Sequence, residues 1–301
     1  MKTDRPSFIK KTVGGTIFDI FNYIFIILLM FFMLYPVLNT VALAFNDGVD
    51  AMRGGIHIWP RVWTWENMDF ALNSPGILSG AYVSVLRTVI GTVTAVLGAA
   101  LLGYLVSCRN FMGRRFLRFI FIVTMYFGGG LIPTYLLMLN LGFVNTLAVF
   151  WIPHIFSPFY MILAASYIQN IPESLFESAR IDGSSELRIL AQFVIPLSLP
   201  MLACIAIFVG VFQWNSWFDV NLYSRDGRWD NLQIILFRLI NQAAAVEMLV
   251  DQRQVMEQMR RVQPQTIRAA VTILATFPIV AIYPFLQKYF VSGMILGAVK
   301  E

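Results

Sequence analysis

Residues 171–200 read IPESLFESARIDGSSELRILAQFVIPLSLP and form the longest strongly charged segment between two long apolar blocks. The pattern predicts a helix, a turn and a second helix. Pro172 suits a first helical turn, Asp182-Gly183 supplies a residue that tolerates positive φ, and either following serine can cap the second helix. Apolar residues recur at steps of three and four, so each helix should have one apolar and one charged face. They are Leu175, Phe176 and Ala179 in the first helix and Leu187, Leu190, Ala191 and Val194 in the second.

The composition of the whole chain is that of a membrane protein. Of its 301 residues, 58% are hydrophobic and 13% are charged, which is too apolar for a soluble domain. The 22 Lys+Arg residues exceed the 17 Asp+Glu residues only modestly, and they cluster at segment ends, so no nucleic-acid partner is indicated. Cys108 and Cys204 lie in or beside apolar blocks without the spacing of a metal site or a disulfide, and we interpret both as small core residues.

Apolar segments divide the chain into six predicted membrane crossings. They cover residues 18–45 and approximately residues 79–107, 116–139, 146–168, 197–222 and 267–289. Basic residues in the N-terminal segment, 1–17, favour a cytoplasmic start, and the turn carrying Arg109, Arg114, Arg115 and Arg118 is expected on the same side. The predicted fold class is therefore an all-α membrane protein with six transmembrane helices, cytoplasmic N- and C-termini and one transmembrane domain, 18–301.

Six crossings from a cytoplasmic start also predict on which side of the membrane each connecting loop lies. Loops 46–78 and 223–266 are expected outside the cell, and the charged hairpin, 170–196, and the C-terminal tail, 290–301, in the cytoplasm. The second outer loop is rich in arginine, which opposes this orientation, but long folded loops translocate largely regardless of charge. Residues 54–60 alternate in the manner of a strand and end at a proline, which predicts a small folded outer loop.

Glycines and prolines predict where the helices pack closely or break. Gly91, Gly98 and Gly103 in the second segment should let neighbouring helices approach. Three consecutive glycines, 128–130, and Pro133 should weaken or kink the third segment. Broken backbone at that depth is tolerated only beside protein or a wet cavity.

The hairpin resembles the EAA loop of ATP-binding-cassette importer permeases. The matching positions are Glu177, Ser178, Ala179, Gly183, Phe193, Ile195 and Pro196, of which Ser178, Phe193 and Ile195 replace other small or apolar residues of the motif. In that family the loop is cytoplasmic and binds the ATPase subunit, which implies an ATPase-coupling role here for Glu177, Ala179, Asp182, Gly183 and Pro196. The local pattern alone is also that of an ordinary amphipathic connector, and the motif's spacing is what favours the coupling loop.

The resemblance extends over nearly the whole chain from Gly55. Residues 129–135, 212–215, 283–290 and 297–300 look like the smaller permease subunit of oligosaccharide importers, in the branch that handles polysaccharide fragments such as uronate-containing oligosaccharides. It implies a type I permease fold in a prokaryotic inner membrane and uptake by alternating access. It also implies a sister permease, two ATPase subunits and an extracytoplasmic solute-binding protein as partners, with lipid around the chain.

No residue pattern predicts catalysis by this chain. No glycine is followed by lysine, so the phosphate-loop motif is absent, and the resemblance assigns ATP and Mg to the partner ATPase subunits, leaving this chain without a cofactor. His57 and His154 are too isolated for a metal site. His154 is expected either to make a helix–helix hydrogen bond or to act in transport, and Arg87 either to snorkel outward or to face the interior.

A cluster at the end of the fifth segment suits a sugar. Trp214, Asn215, Trp217 and Asp219 combine ring faces with amide and carboxylate groups, which bind sugars by stacking and hydrogen bonding. An interfacial aromatic belt explains the same tryptophans without a ligand. The resemblance also leaves open that the sister permease holds most of the sugar. A second function class also stays open: a membrane-embedded enzyme or accessory subunit of polysaccharide assembly, although the acid–base or metal groups of an enzyme are absent from the segments.

Overall fold

The computed structural model describes residues 13–248 and 263–298, and the regular elements in this part of the chain are helical. They fall into two compact units, the first with the described residues of 1–71 and 242–273 and the second with those of 72–241 and 274–301. The α-helices are α1 (Val13–Ala44), α2 (Gly48–Ala51), α3 (Glu66–Leu72), α4 (Ile77–Ser107), α5 (Arg114–Tyr126), α6 (Leu131–Asn140), α7 (Pro158–Ile168), α8 (Glu173–Ile181), α9 (Glu186–Ile189), α10 (Ile195–Leu197), α11 (Leu199–Asn215), α12 (Phe218–Tyr223), α13 (Leu232–Met248) and α14 (Pro264–Ala298). Short 3₁₀ turns cover Leu147–Phe150 and Ile152–His154, and a π-helical turn covers Leu190–Val194.

Three helices are each long and apolar enough to cross a membrane: α1, α4 and the Pro264–Pro284 part of α14. The bent pairs α5–α6, α9/α10–α11 and the 3₁₀ turns with α7 bring the number of possible crossings to six. The chain is thus a helical multi-pass membrane protein. The predicted second crossing, 79–107, agrees with α4.

The third predicted crossing breaks more sharply than a kink. Its two helices, α5 and α6, meet at an angle of 120° across residues 127–130. Gly130 has φ +83° at this break, a conformation that glycine adopts without the steric cost of a Cβ. Pro133 lies in the first turn of α6, where a missing N–H costs no helical hydrogen bond.

The fifth predicted crossing, 197–222, is two helices rather than one. Helix α11 ends at Asn215, and α12 begins at Phe218. The carbonyl of Ser216 accepts a hydrogen bond of 2.6 Å from the side-chain amide of Asn231, so a side chain takes the place of a helical donor at the break. The sixth crossing, predicted to end at 289, continues as α14 to Ala298, and the last three residues of the predicted tail lie outside the described residues.

The first unit contains a loop held by side-chain hydrogen bonds. Asn46 Oδ1 accepts the backbone N–H of Arg61 at 2.7 Å, and Arg61 Nε donates to Asp50 at 3.0 Å. Asn46 donates to the same carboxylate, and this hydrogen bond, with Arg61 beside it, lowers the pKa of Asp50. The loop is therefore a small folded element, in agreement with its predicted character.

The strand-like alternation of residues 54–60 does not correspond to a strand in the structure, because this run has no regular secondary structure. Gly54 and Gly55 both have positive φ, which a strand does not tolerate. The Asn39 side chain donates to the carbonyls of Ile56 and His57, at 2.7 and 3.1 Å. A side-chain amide therefore satisfies groups that a neighbouring strand would otherwise bind.

Helix α4 is the centre of the second unit and packs against α7 and α11. A Cβ at Gly98 would lie 2.2 Å from the carbonyl oxygen of Ile155, and one at Gly103 would lie 2.5 Å from Cβ of Ala164. Neither position accepts a side chain without backbone movement, so the predicted role of these glycines in close helix contact is confirmed.

Candidate functional site

The charged hairpin has the predicted helix–turn–helix form. Helix α8 begins directly after Pro172 and ends at Ile181, with Asp182 as its C-cap. Gly183 follows with φ +78°, which confirms the residue of positive φ expected at the turn. Ser185 caps α9, since its side chain accepts the backbone N–H of Arg188 at 3.4 Å. The sequence therefore folds locally as its capping residues predict.

One face of the hairpin is buried in the core of the second unit. Phe176 and Ala179 of α8 and Ile189 and Val194 of the second arm join a cluster with residues of α4, α7 and α11. The cluster members from those three helices are Ala95, Ala99, Ala100, Tyr104, Ala164, Ile168, Met201, Leu202, Ile205 and Val209. The hairpin is consequently a packed part of the second unit, in contact with α4, α7 and α11.

The predicted apolar face of the second arm is partly wrong. Leu187 is 74% exposed and Ala191 is also exposed, whereas Ile189 is fully buried. The reason is the π-helical turn Leu190–Val194, whose i→i+5 bonds widen the helix. The buried face therefore runs from Ile189 to Val194, five residues later, instead of following steps of three and four.

One ion pair joins the two arms of the hairpin, and a hydrogen bond joins the second arm to α4. Arg180 Nε of α8 donates to Glu186 of α9 at 2.8 Å, and Glu186 also accepts a hydrogen bond from the hydroxyl of Tyr104 in α4. The hydrogen bond to Glu186 raises the pKa of Arg180, so this guanidinium stays charged. The sequence pattern did not predict this ion pair. The only indication in the sequence is that Arg180 and Glu186 carry opposite charges on the two sides of the predicted turn.

The start of α8 has its own link to the preceding turn. Arg109 Nη1 lies 3.1 Å from Glu173 Oε2. Arg109 comes directly after the end of α4, so the ion pair joins the arginine-rich turn to the hairpin. Both side chains keep contact with solvent, and the pair orients the hairpin more than it stabilises it.

The opposite face of the hairpin is open. Of the residues predicted for ATPase coupling, Glu177, Asp182 and Pro196 are exposed. Ala179 is instead buried, so it contributes packing and not a contact surface. Two apolar side chains that the motif does not specify add to the open face, Ile181 at 86% exposure and Leu187.

A buried network of polar side chains surrounds Arg87 of α4, inside the second unit. The guanidinium is 0% exposed; its Nη2 donates to Asp219 at 2.6 Å and to Gln213 at 2.9 Å, and it lies 4.8 Å from the ring centroid of Phe150. Gln213 in turn donates to the carbonyl of Phe150 at 3.1 Å. Arg87 therefore faces the interior, and the snorkelling alternative is excluded.

The four residues predicted for a substrate pathway have separate environments. The Trp214 indole N–H donates to the Ala275 carbonyl at 3.0 Å, and the Trp217 ring stacks on Phe237 at 4.3 Å. Asp219 binds Arg87, as described above. Asn215 is exposed at the end of α11.

The two histidines are far apart in sequence and have aromatic neighbours. His154 contacts the Phe212 ring edge to face at 5.2 Å, and among the described residues its ring makes no hydrogen bond to another helix. His57 Nδ1 lies 2.8 Å from Tyr35 Oη. Within the described ranges no three His, Cys, Asp or Glu side chains are grouped as metal ligands.

Comparison with curated proteins gives full-length relatives. The chain is 33% identical over 291 residues to the protein LplC of Bacillus subtilis strain 168, covering 96% of this chain and 97% of that one. It is 32% identical over 287 residues to the polygalacturonan/rhamnogalacturonan transport system permease protein YtcP of the same strain, covering 94% and 98%. No family model matches the sequence.

A solved structure has the same fold over nearly its whole length. It is the crystal structure of a bacterial ABC transporter involved in the import of the acidic polysaccharide alginate, with a TM-score of 0.84 and 26% identity over 93% of this chain and 98% of that one. The named curated relatives of known role are transport permeases and not enzymes, which leaves no support for the catalytic alternative. The identity, the coverage and the helical fold together show that the chain belongs to the permease subunits of ATP-binding-cassette sugar importers.

Proposed function

We propose that the chain is one half of the transmembrane pathway of a binding-protein-dependent oligosaccharide importer and that the hairpin couples it to a separate ATPase. The observation that carries the proposal is the division of the hairpin into two faces. Its buried face packs on α4, α7 and α11, and its open face presents Glu177, Asp182 and the apolar side chains of Ile181 and Leu187. A partner that moves the open face therefore moves the helices behind it.

The coupling route runs along the hydrogen bonds and the packing of the hairpin. Glu186 connects the turn region to Tyr104 of α4, and Val194 leads through α10 into α11. A well-packed core transmits displacement because it has few voids in which to absorb it. Closure of the nucleotide-bound ATPase pair would thus shift α4 and α11 together and open the pathway to the other side by alternating access. ATP and Mg belong to the ATPase partners.

The arrangement in the membrane follows from the arginine-rich turn. We place six crossings in a prokaryotic inner membrane, with both termini, the hairpin, 170–196, and the tail, 290–301, in the cytoplasm and loops 46–78 and 223–266 outside. The partners are a sister permease, two ATPase subunits and an extracytoplasmic solute-binding protein.

The substrate class is proposed from the charge of the relatives' substrates. YtcP is named for polygalacturonan and rhamnogalacturonan, and the solved transporter for the acidic polysaccharide alginate. We therefore propose uronate-containing oligosaccharides. Within the set of residues predicted for the substrate pathway, Asn215 and Trp217 are exposed and are best placed to contact a sugar, because Trp214 and Asp219 already bind Ala275 and Arg87.

Reconstitution tests the proposal directly. The chain is co-expressed with its sister permease and ATPase, purified, and assayed in proteoliposomes with the cognate binding protein and labelled oligosaccharides of equal length. We expect ATP-dependent uptake of galacturonate or alginate oligomers and little uptake of neutral arabinose oligomers. Absence of a copurifying ATPase, together with turnover of a polysaccharide by the isolated chain, would replace the proposal with the enzyme alternative.

A further inference from the structure

A cavity of about 620 Å³ lies in the second unit, between the end of α4, the turn into α5 and the start of the hairpin. Its wall is strongly basic. The charged side chains that line it are Arg109, Arg114, Arg115, Arg118, Arg180 and Glu173. Five guanidinium groups against one carboxylate give the cavity an excess of positive charge, which attracts anions.

Two of the five arginines are already neutralised. Arg109 pairs with Glu173 at 3.1 Å, and Arg180 pairs with Glu186 at 2.8 Å. The first pair uses the carboxylate of the cavity wall, and the second uses a carboxylate of α9. They leave the other three arginines of the wall outside these two pairs.

The other three arginines belong to the start of α5. In the part of the chain that the structure describes, no carboxylate lies within ion-pair distance of Arg114, Arg115 or Arg118. Arg118 makes only a long hydrogen bond, 3.4 Å, to the carbonyl of Val106. The Cys108 thiol in the wall adds no negative charge, because burial raises its pKa. Three like charges that share one wall repel each other, and an anion between them relieves that repulsion.

The chemistry of the wall is that of a phosphate site. A guanidinium fork binds two phosphate oxygens at once and with defined geometry. The side-chain amide of Gln169 also lines the cavity and supplies a neutral donor, whereas that of Asn170, in the same wall, already donates to the Ser166 carbonyl at 3.0 Å. The volume falls in the range of small-molecule sites and is large enough for a phosphodiester with its glycerol.

The residues beside the cavity favour a lipid as the source of the phosphate. Phe116 and Phe119, on the same helix as the three arginines, are 69% and 65% exposed, and Ile120 is exposed as well. Basic cavities at the ends of membrane helices bind anionic head groups, and an apolar helix surface next to them can contact the acyl chains. A soluble anion would have no use for that surface.

We propose that this cavity binds a phosphate oxyanion, supplied by an anionic phospholipid of the adjoining leaflet. The site lies against Phe176 and Arg180 of α8, so an occupied cavity supports the buried face of the hairpin. Binding is measured directly, so a failed test leaves the coupling role of the hairpin untouched.

The test uses the assembled importer with phosphatidylglycerol as the probe. Bound lipid is counted by native mass spectrometry after transfer from nanodiscs that contain phosphatidylglycerol or phosphatidylcholine. At about 1 kcal/mol for each arginine near an anionic head group, Arg114→Gln/Arg115→Gln should weaken phosphatidylglycerol binding about 30-fold. Arg114→Lys/Arg115→Lys keeps the charge and should lose much less.

Two further variants separate the cavity from charge in general. Arg53→Gln/Arg228→Gln removes the same charge from exposed residues outside the cavity and should leave lipid binding unchanged. Glu173→Gln frees Arg109 and leaves the arginine-rich turn intact, so it should strengthen binding several-fold. Misfolding would weaken lipid binding in every variant, so stronger binding in Glu173→Gln and weaker binding in the arginine variants would not be explained by it.

A second arm identifies the source of the phosphate. Inorganic phosphate is titrated into the delipidated complex, and binding is followed by calorimetry. If inorganic phosphate binds with the same dependence on Arg114 and Arg115 and no lipid is retained, the oxyanion site is supported, but its ligand comes from the cytosol and not from a lipid. The proposal is overturned if the binding of neither probe depends on these arginines, or if the cysteine of an Arg115→Cys variant cross-links to an ATPase subunit whatever lipid is present.

Discussion

Arg87 and Asp219 are 132 positions apart in sequence and form an ion pair of 2.6 Å inside the second unit. The guanidinium is fully buried, and the carboxylate keeps 22% of its surface exposed. The pair joins α4 to the start of α12, and Gln213 of α11 completes the hydrogen bonding. A charge buried in a membrane helix is costly unless it is paired in this way.

Breaking this pair from one side should destabilise the protein strongly. Asp219→Asn leaves the Arg87 charge buried without a counterion, and we expect a loss on the order of 3 kcal/mol, at the low end of the usual range because Asp219 is partly exposed. The measurement is the thermal unfolding midpoint of the purified complex in detergent. Arg87→Met/Asp219→Leu removes both charges and should recover much of the loss. Strictly additive losses in this double-mutant cycle would show that the pair has no coupling energy.

The turn of the hairpin provides a test of coupling. Gly183 has φ +78°, and a Cβ there would meet no atom within 4 Å, so Gly183→Val acts through backbone strain and not through a clash. The expected local cost is about 1–3 kcal/mol. We expect the variant to reach the membrane and pair with its sister but to lose ATPase association or transport-coupled hydrolysis.

Asparagine is the matched control at this position, because it tolerates positive φ far better than valine. Gly183→Asn should retain most of the coupled hydrolysis at equal membrane abundance. Normal binding-protein-stimulated hydrolysis in Gly183→Val would make the hairpin a simple connector.

Close helix packing around α4 gives a prediction about stability alone. Gly98→Ala places a Cβ 2.2 Å from a backbone oxygen, which must move, and the expected loss is about 1–3 kcal/mol. Gly210→Ala in α11 is the control, since the nearest atom to its Cβ is Thr92 Oγ1 at 3.5 Å. That control should be neutral or slightly stabilising, because alanine favours a helix over glycine. The measurement is the thermal unfolding midpoint of each variant. Equal midpoints for Gly98→Ala and Gly210→Ala would contradict the packing argument.

The membrane orientation can be tested by labelling with an impermeant thiol reagent, after Cys108 and Cys204 are replaced. Ser184→Cys in the hairpin should be shielded in intact cells and should react after permeabilisation. Arg228→Cys, in the exposed part of the second loop, should react from outside. Labelling of the hairpin cysteine in intact cells would invert the proposed arrangement and separate the hairpin from any cytoplasmic ATPase.

The sequence by itself determined the features that depend on neighbouring residues. Hydropathy gives long apolar segments, and α4 agrees with its predicted crossing because a 31-residue apolar run without proline has no local reason to break. Gly183 adopts the predicted positive φ because the turn chemistry of Asp182-Gly183 is local. The spacing of the coupling motif is local as well, and it predicts the same permease family to which the full-length relatives belong.

The tertiary structure decided what depends on distant partners. No rule of spacing pairs Arg87 with a carboxylate 132 residues away, so whether its charge was buried or snorkelled stayed open until α4 and α12 were placed together. The buried face of the second hairpin arm moved from Leu187 to Ile189 because a π-helical turn changes the helical period, which periodicity analysis assumes constant. The basic cavity exists only because the end of α4, the start of α5 and the hairpin meet in space. Local rules specify each helix and turn, whereas burial, pairing and cavities are properties of the packed chain.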